Sequence, residues 1–158
     1  MNEQATRLCD IVEQAMVATE RETFSGWNVR PRPEKWSKNE IFGHLVDSAN
    51  NNIQRFVRAT FEERFKVVYY QDQWVASQHY NGAESRDILA LWALINRHIA
   101  RIMERYPHDR MQILVDCGKA APAFDTIEFL MTDYVDHVVH HLRQVGISVT
   151  SELAGSAT

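Results

Sequence analysis

Apolar residues recur along four stretches of the chain at the three-and-four spacing of a helix that buries one face. In the first, from about Glu3 to Glu22, Leu8, Ile11, Val12, Ala15 and Thr19 share a face, with Glu13, Gln14 and Glu20 outside it. Cys9 flanks that stripe and reads as a small core residue. In the second, which ends near Thr60, Ile41, Leu45, Ser48, Ala49, Asn52, Ile53 and Phe56 point inward. The third runs from about Ser85 to Arg105, with Ile88, Trp92, Ile95, Ile99 and Ile102 inside. The fourth carries Ile127, Leu130, Tyr134, His137 and His141 on its inner face and stops near Val145 and Gly146. The pattern predicts an all-α chain, a four-helix bundle with a long crossover connection.

Local signals sharpen the boundaries. Ser37-Lys-Asn-Glu40 is a capping box, in which the serine oxygen takes the Glu40 N–H and the glutamate reaches back; Trp36 and Ile41 stand at the staple positions. Asp125-Thr-Ile-Glu128 has the same form, with Phe124 and Phe129 around it. Gly146 suits the left-handed residue that closes a helix. Gly26, Pro31 and Pro33 make the segment before Trp36 a loop. Phe61 to Gly82 reads as a long, aromatic-rich connection, either a lid or wall over a site or a crossover that covers one bundle end. Met111 to Val115 reads as a short strand or an extended arm. One domain is expected over 1–150, followed by a frayed tail over 151–158.

Composition removes several function classes. A net charge of −4 with no basic stripe argues against nucleic acid as a partner. No apolar run approaches the roughly 20 residues of a membrane span, and the N-terminus has no signal-peptide core, so a cytoplasmic protein with Cys9 and Cys117 as free thiols is expected. There is no CxxC, HExxH, paired ExxH, GxSxG, P-loop or GxGxxG.

The histidines then stand out. His137 and His141 are four apart, one above the other on a face that is otherwise apolar. Burying an imidazole without partners costs on the order of 1–3 kcal/mol. A metal ion would account for two of them, because neutral imidazole is a common ligand of zinc, copper and nickel. Local ion pairs are the alternative account, since Asp133 stands four residues before His137 and Asp136 four before His140. A third ligand favours metal, and His44, at the edge of the second helix's inner stripe, can supply it. His98 reads as a hydrogen-bonded rim histidine and His140 as exposed. Asp47, three residues after His44, is either a catalytic carboxylate that orients a ligand or accepts a proton, or a solvated surface residue. Asp72, Gln73 and Trp74 are candidates for the wall of a cofactor- or substrate-binding pocket.

A lone histidine within Gly43-His-Leu-Val-Asp-Ser48, the pair within Tyr134-Val-Asp-His-Val-Val-His-His-Leu-Arg-Gln144, and Gln71-Asp-Gln-Trp74 between the helices resemble the DinB-like, YfiT-like metal-binding bundles. The resemblance runs from about residue 5 to 147, and the histidine triad is its most specific part. It implies a divalent metal, often zinc or nickel, held by three histidines with a position open to water or substrate. It implies a homodimer formed through bundle helices. It also brings chemistry with it, since members include thiol S-transferases that use bacillithiol or mycothiol and a mycothiol-dependent maleylpyruvate isomerase. The expected function is therefore metal-dependent transfer to a low-molecular-weight thiol, or hydrolysis, of a small-molecule substrate. The alternatives are a non-enzymatic metal or ligand carrier and a purely structural dimeric bundle.

Overall fold

The computed structural model describes residues 2–150, so the expected tail over 151–158 lies outside the described residues. Four long helices, α1 (Glu3–Thr19), α2 (Lys38–Arg58), α4 (Ser85–Glu104) and α5 (Ile127–Gln144), form the bundle, and a short helix, α3 (Gln71–Gln78), lies in the connection after α2. The long helices pack in the circular order α1, α4, α2, α5. Thus α1 and α2 lie on one diagonal and α4 and α5 on the other, so those two connections cross a bundle end, whereas α2 and α4 are neighbours. This order seats α2 directly against α5, the two helices that carry the histidines.

The predicted stripes are the core. Leu8, Ile11, Val12, Ala15, Leu45, Phe56, Trp92, Ile99, Ile127 and Leu142 are fully buried, and each large aliphatic or aromatic side chain removed from water contributes roughly 1.5–3 kcal/mol. Trp27 stacks on Phe42, which meets the edge of Trp92. Tyr134 is buried because its hydroxyl has a partner: it donates to Asn96 Oδ1 at 2.6 Å. Ile95 and Ile102 are only half-buried, at the margin of the α4 stripe. No helix among the described residues is long and apolar enough to cross a membrane.

The capping box at Ser37 forms as expected, and Arg30 grips the Glu40 carboxylate that completes it. At the other end of the fold α5 closes in a full Schellman motif: Gly146 N–H donates to Arg143 O, Ile147 N–H to Leu142 O, and Gly146 has φ +88°.

Several expectations are corrected. The first helix stops at Thr19, not Glu22. Cys9 is exposed rather than a core residue, since it sits one position, about 100°, round from Leu8. The 61–82 connection is not one loop. It holds α3 and a tight turn at Tyr80–Gly82, which its pattern hides because α3 buries only Val75. Of the two readings of Met111 to Val115 the short strand holds, shifted by a residue at its end: β1 (Leu114–Asp116) pairs antiparallel with β2 (Phe124–Thr126). That pairing displaces the second capping box. Asp125 is drawn into the ladder opposite Val115. Thr126 becomes the N-cap and accepts the Phe129 N–H at 3.2 Å. The Glu128 N–H donates to Met111 O and its carboxylate accepts from the Gln112 amide, while Phe124 and Phe129 stay exposed instead of closing a staple.

Candidate metal centre

His44 lies two turns into α2, behind the secured N-terminus, and is buried to 1% exposure. His137 and His141 come from the last two turns of α5. One nitrogen of each of the three lies within 4.8 Å of the others, and the Nε2 atoms of His44 and His137 are 3.0 Å apart. Ligand bonds of ~2.0–2.1 Å in a tetrahedral zinc site set nitrogens about 3.3 Å apart, so the His44–His137 spacing suits two ligands of one ion. The three rings meet edge to face in every pairing.

The outward nitrogens are largely accounted for. His44 Nδ1 lies 2.7 Å from the Tyr69 hydroxyl, and His141 Nδ1 lies 2.8 Å from the Gln144 side-chain oxygen. With the Nδ1 positions engaged outward, Nε2 is the nitrogen left for the shared point, the arrangement that orients metal-bound imidazoles. His137 Nδ1 is buried without a partner.

The electrostatics keep the rings neutral. Burial, and then the neighbouring His137 and His141, push His44 down to about 3. Burial and His141 push His137 down to about 4. His141 is lowered by burial, opposed by its bond to Gln144. Imidazoles must be unprotonated to bind a cation; His44 and His137 are so well below neutral pH, and His141 is shifted in the same direction. Among the described residues neither Asp133 nor Asp136 pairs with a histidine; Asp136 instead bridges to Arg7 at 2.6 Å, so the ion-pair reading of the histidines does not hold. His98 and His140 are both exposed and outside the cluster.

Aromatic rings wall the site. Trp36, just ahead of α2, packs on His44 with ring centroids 5.1 Å apart. Tyr69 lies parallel to His44 on another side, and Trp74 meets Tyr69 edge-on. Trp74 is half-buried, whereas Asp72 and Gln73 are exposed on α3. Gln73 and Trp74, with Ser77 and Gln78, line an open groove of about 430 Å³.

Asp47 is not a surface residue. It is 1% exposed; its Oδ1 accepts from Tyr80 O–H at 2.7 Å and from the Gln78 amide, and its Oδ2 has no partner. Burial raises its pKa, and the two donors hold the rise back. The bonds of Asp47 run to the α3 segment, none to a histidine. They fasten that segment to α2, aided by Asn39 on the Tyr80 and Ala83 carbonyls.

Tyr69, Trp36 and Gln144 were absent from the sequence-based site. Only Gln144 had a legible signal, being three residues after His141 on the same helix face.

No known family of proteins matches this sequence, and no curated protein matches it. Among solved structures the fold is similar to YfiT from Bacillus subtilis, described as "a probable metal-dependent hydrolase with an unusual four-helix bundle topology". The likeness has a TM-score of 0.69 and 18% sequence identity, over 92% of this chain and 87% of that one. At that identity it speaks to architecture. The chain is thus a four-helix bundle of the YfiT fold, as the resemblance in its motifs implied, with three histidines gathered where they could hold a metal ion.

Proposed function

We propose that this chain is a divalent-metal-dependent hydrolase of a small molecule, with His44, His137 and His141 as ligands and zinc or nickel as the ion. The observation that carries the reading is the convergence of three neutral imidazoles from two adjacent helices. Nothing else in the fold requires histidine at three touching, largely buried positions. The description of YfiT as a metal-dependent hydrolase supports hydrolysis over thiol transfer.

With only neutral ligands a bound ion would keep its full +2 charge and supply Lewis-acid chemistry, making water or a thiol nucleophilic near neutral pH and polarising an acceptor oxygen. The chain's own residues do the rest. Trp36 and Tyr69 cover the His44 ring, hold it in place and keep bulk water from that side. Asp47, one turn from His44, has a buried free Oδ2 and a pKa raised by burial, which suits it to accept a proton. Gln73 and Trp74 line the groove on α3, with Asp72 beside them in the chain, and a substrate would first meet the protein there.

The test is metal content by mass spectrometry together with turnover. Wild-type protein is expected to hold close to one zinc or nickel per chain after reconstitution, and His137→Ala little. The loaded enzyme is then assayed on small esters, amides and lactones, and separately for conjugation of an electrophile to an added low-molecular-weight thiol. Metal binding with ester, amide or lactone hydrolysis upholds the proposal. Thiol conjugation without hydrolysis replaces hydrolase by transferase. No metal in wild type after incubation with either ion refutes the metal reading.

A further inference from the structure

Tyr69 reaches the histidines from the connection between α2 and α3, and its hydroxyl touches His44 twice. The oxygen is 2.7 Å from Nδ1 and 3.3 Å from the His44 carbonyl oxygen. A phenol has one proton to give, and a carbonyl oxygen can only accept. With the O–H given to the carbonyl, the phenolic lone pair is free to accept the Nδ1–H. In that arrangement His44 is the Nδ1–H tautomer, and its Nε2 lone pair is turned to His137 Nε2 at 3.0 Å, the side a cation would occupy.

His141 is set in the same sense, since the Gln144 side-chain oxygen can only accept its Nδ1–H. That partner is local, one turn along an exposed edge of the same helix. Tyr69 differs in being a half-buried residue from a separate segment. Its backing is also distinct: Trp74 packs on its ring, and α3, which carries Trp74, is tied to α2 by the bond from Gln78 to Asp47. His137 has no such orienting partner among the described residues.

We propose that Tyr69 is a positioning residue for the metal centre, whose hydroxyl selects the His44 tautomer that can bind a cation. The inference rests on the metal reading above. Partners of this kind cost 10–100-fold in metal affinity when removed, because the ligand is then free to turn or to place its proton on the wrong nitrogen.

Tyr69→Phe keeps the ring and its packing and removes only the hydroxyl. Metal-stripped wild type, Tyr69→Phe and Tyr70→Phe are titrated with Co2+, followed by its visible absorption, and with Zn2+ in competition with a chelator. Tyr69→Phe is expected to bind both ions about 10–100-fold more weakly and to alter the Co2+ spectrum, with the melting temperature of the metal-free protein close to wild type. Tyr70→Phe, at an exposed neighbour, is expected to match wild type. Equal affinity in Tyr69→Phe and wild type overturns the proposal while leaving the metal site standing, as does an equal loss in Tyr70→Phe. A wild type that binds neither ion overturns the metal reading itself, and this proposal with it. Nitrogen NMR of the imidazoles in zinc-loaded wild type gives a check that needs no variant. A hydrogen-bonded Nδ1–H on His44 with zinc on Nε2 supports the proposal, and zinc on Nδ1 refutes it.

Discussion

Replacing Gly43 by alanine puts a methyl group where Tyr80 already stands. Inside an exposed helix this exchange stabilises by about 1 kcal/mol, because alanine loses less backbone entropy on folding. At Gly43 packing reverses the sign. A Cβ built there overlaps Cγ, Cδ2 and Cε2 of Tyr80, the body of a ring rather than the loose end of a chain. Tyr80 cannot step aside cheaply. It is 7% exposed, its hydroxyl donates to the buried Asp47, and its carbonyl accepts from Asn39. Overpacking costs about 1–3 kcal/mol, and losing a hydrogen bond to a charged group costs about 1.5–3 kcal/mol. Set against the propensity gain, the net is a destabilisation of about 3 kcal/mol. For a chain of 158 residues that lowers Tm by about 6–12 °C. Urea unfolding of the metal-free protein measures the free energy, and calorimetry the midpoint. A double-mutant cycle isolates the cause: with Tyr80→Ala in place the clash is gone, so Gly43→Ala is expected to become neutral or stabilising. A Gly43→Ala protein as stable as wild type would refute the close approach of the Tyr80 turn to α2. So would the same destabilisation in both backgrounds.

The pH dependence of the metal-free protein follows from the depressed histidines. His44 at about 3 and His137 at about 4 lie below their ordinary value of 6.5, so over that interval the unfolded chain binds more protons than the folded one. Their contribution is therefore fully present above pH 6.5 and lost as pH falls toward 4, at up to about 1.4 kcal/mol per pH unit for each histidine. Urea midpoints at pH 7.5, 6 and 5 are expected to fall in that order, and a flat series would contradict the burial of the triad. The start of α5 offers a second check. Thr126→Ala removes the observed cap and is expected to cost about 1 kcal/mol, whereas Asp125→Ala, which caps nothing, is expected to cost less; the reverse order in chemical denaturation would restore the Asp125 register.

The four long helices, their buried faces and the secured start of α2 were legible in the residue pattern, because each rests on interactions within a few positions of the chain. The α5 cap shows where such reading fails. Asp125-Thr-Ile-Glu128 fits the capping-box spacing, yet Asp125 pairs with Val115 in a two-stranded ladder, and a partner ten residues away shifts the helix start by one position. Helix α3 was hidden for a related reason: it is held by contacts to other segments, through Gln78 and Val75, and not by a stripe of its own.

The candidate site divides along the same line. Spacing put His137 and His141 on one face, and the hydrophobic stripe of α2 put His44 near the interior. That α2 packs beside α5, and not diagonally across from it, was decided by the circular order of the bundle. That adjacency brings the His44 and His137 nitrogens to 3.0 Å. The burial of Asp47 and the contact of Tyr69 with His44 also belong to the tertiary structure. Helical periodicity says which way a side chain points from its own axis, but which segment meets it there depends on how the connections cross the ends of the bundle, and no local spacing records that.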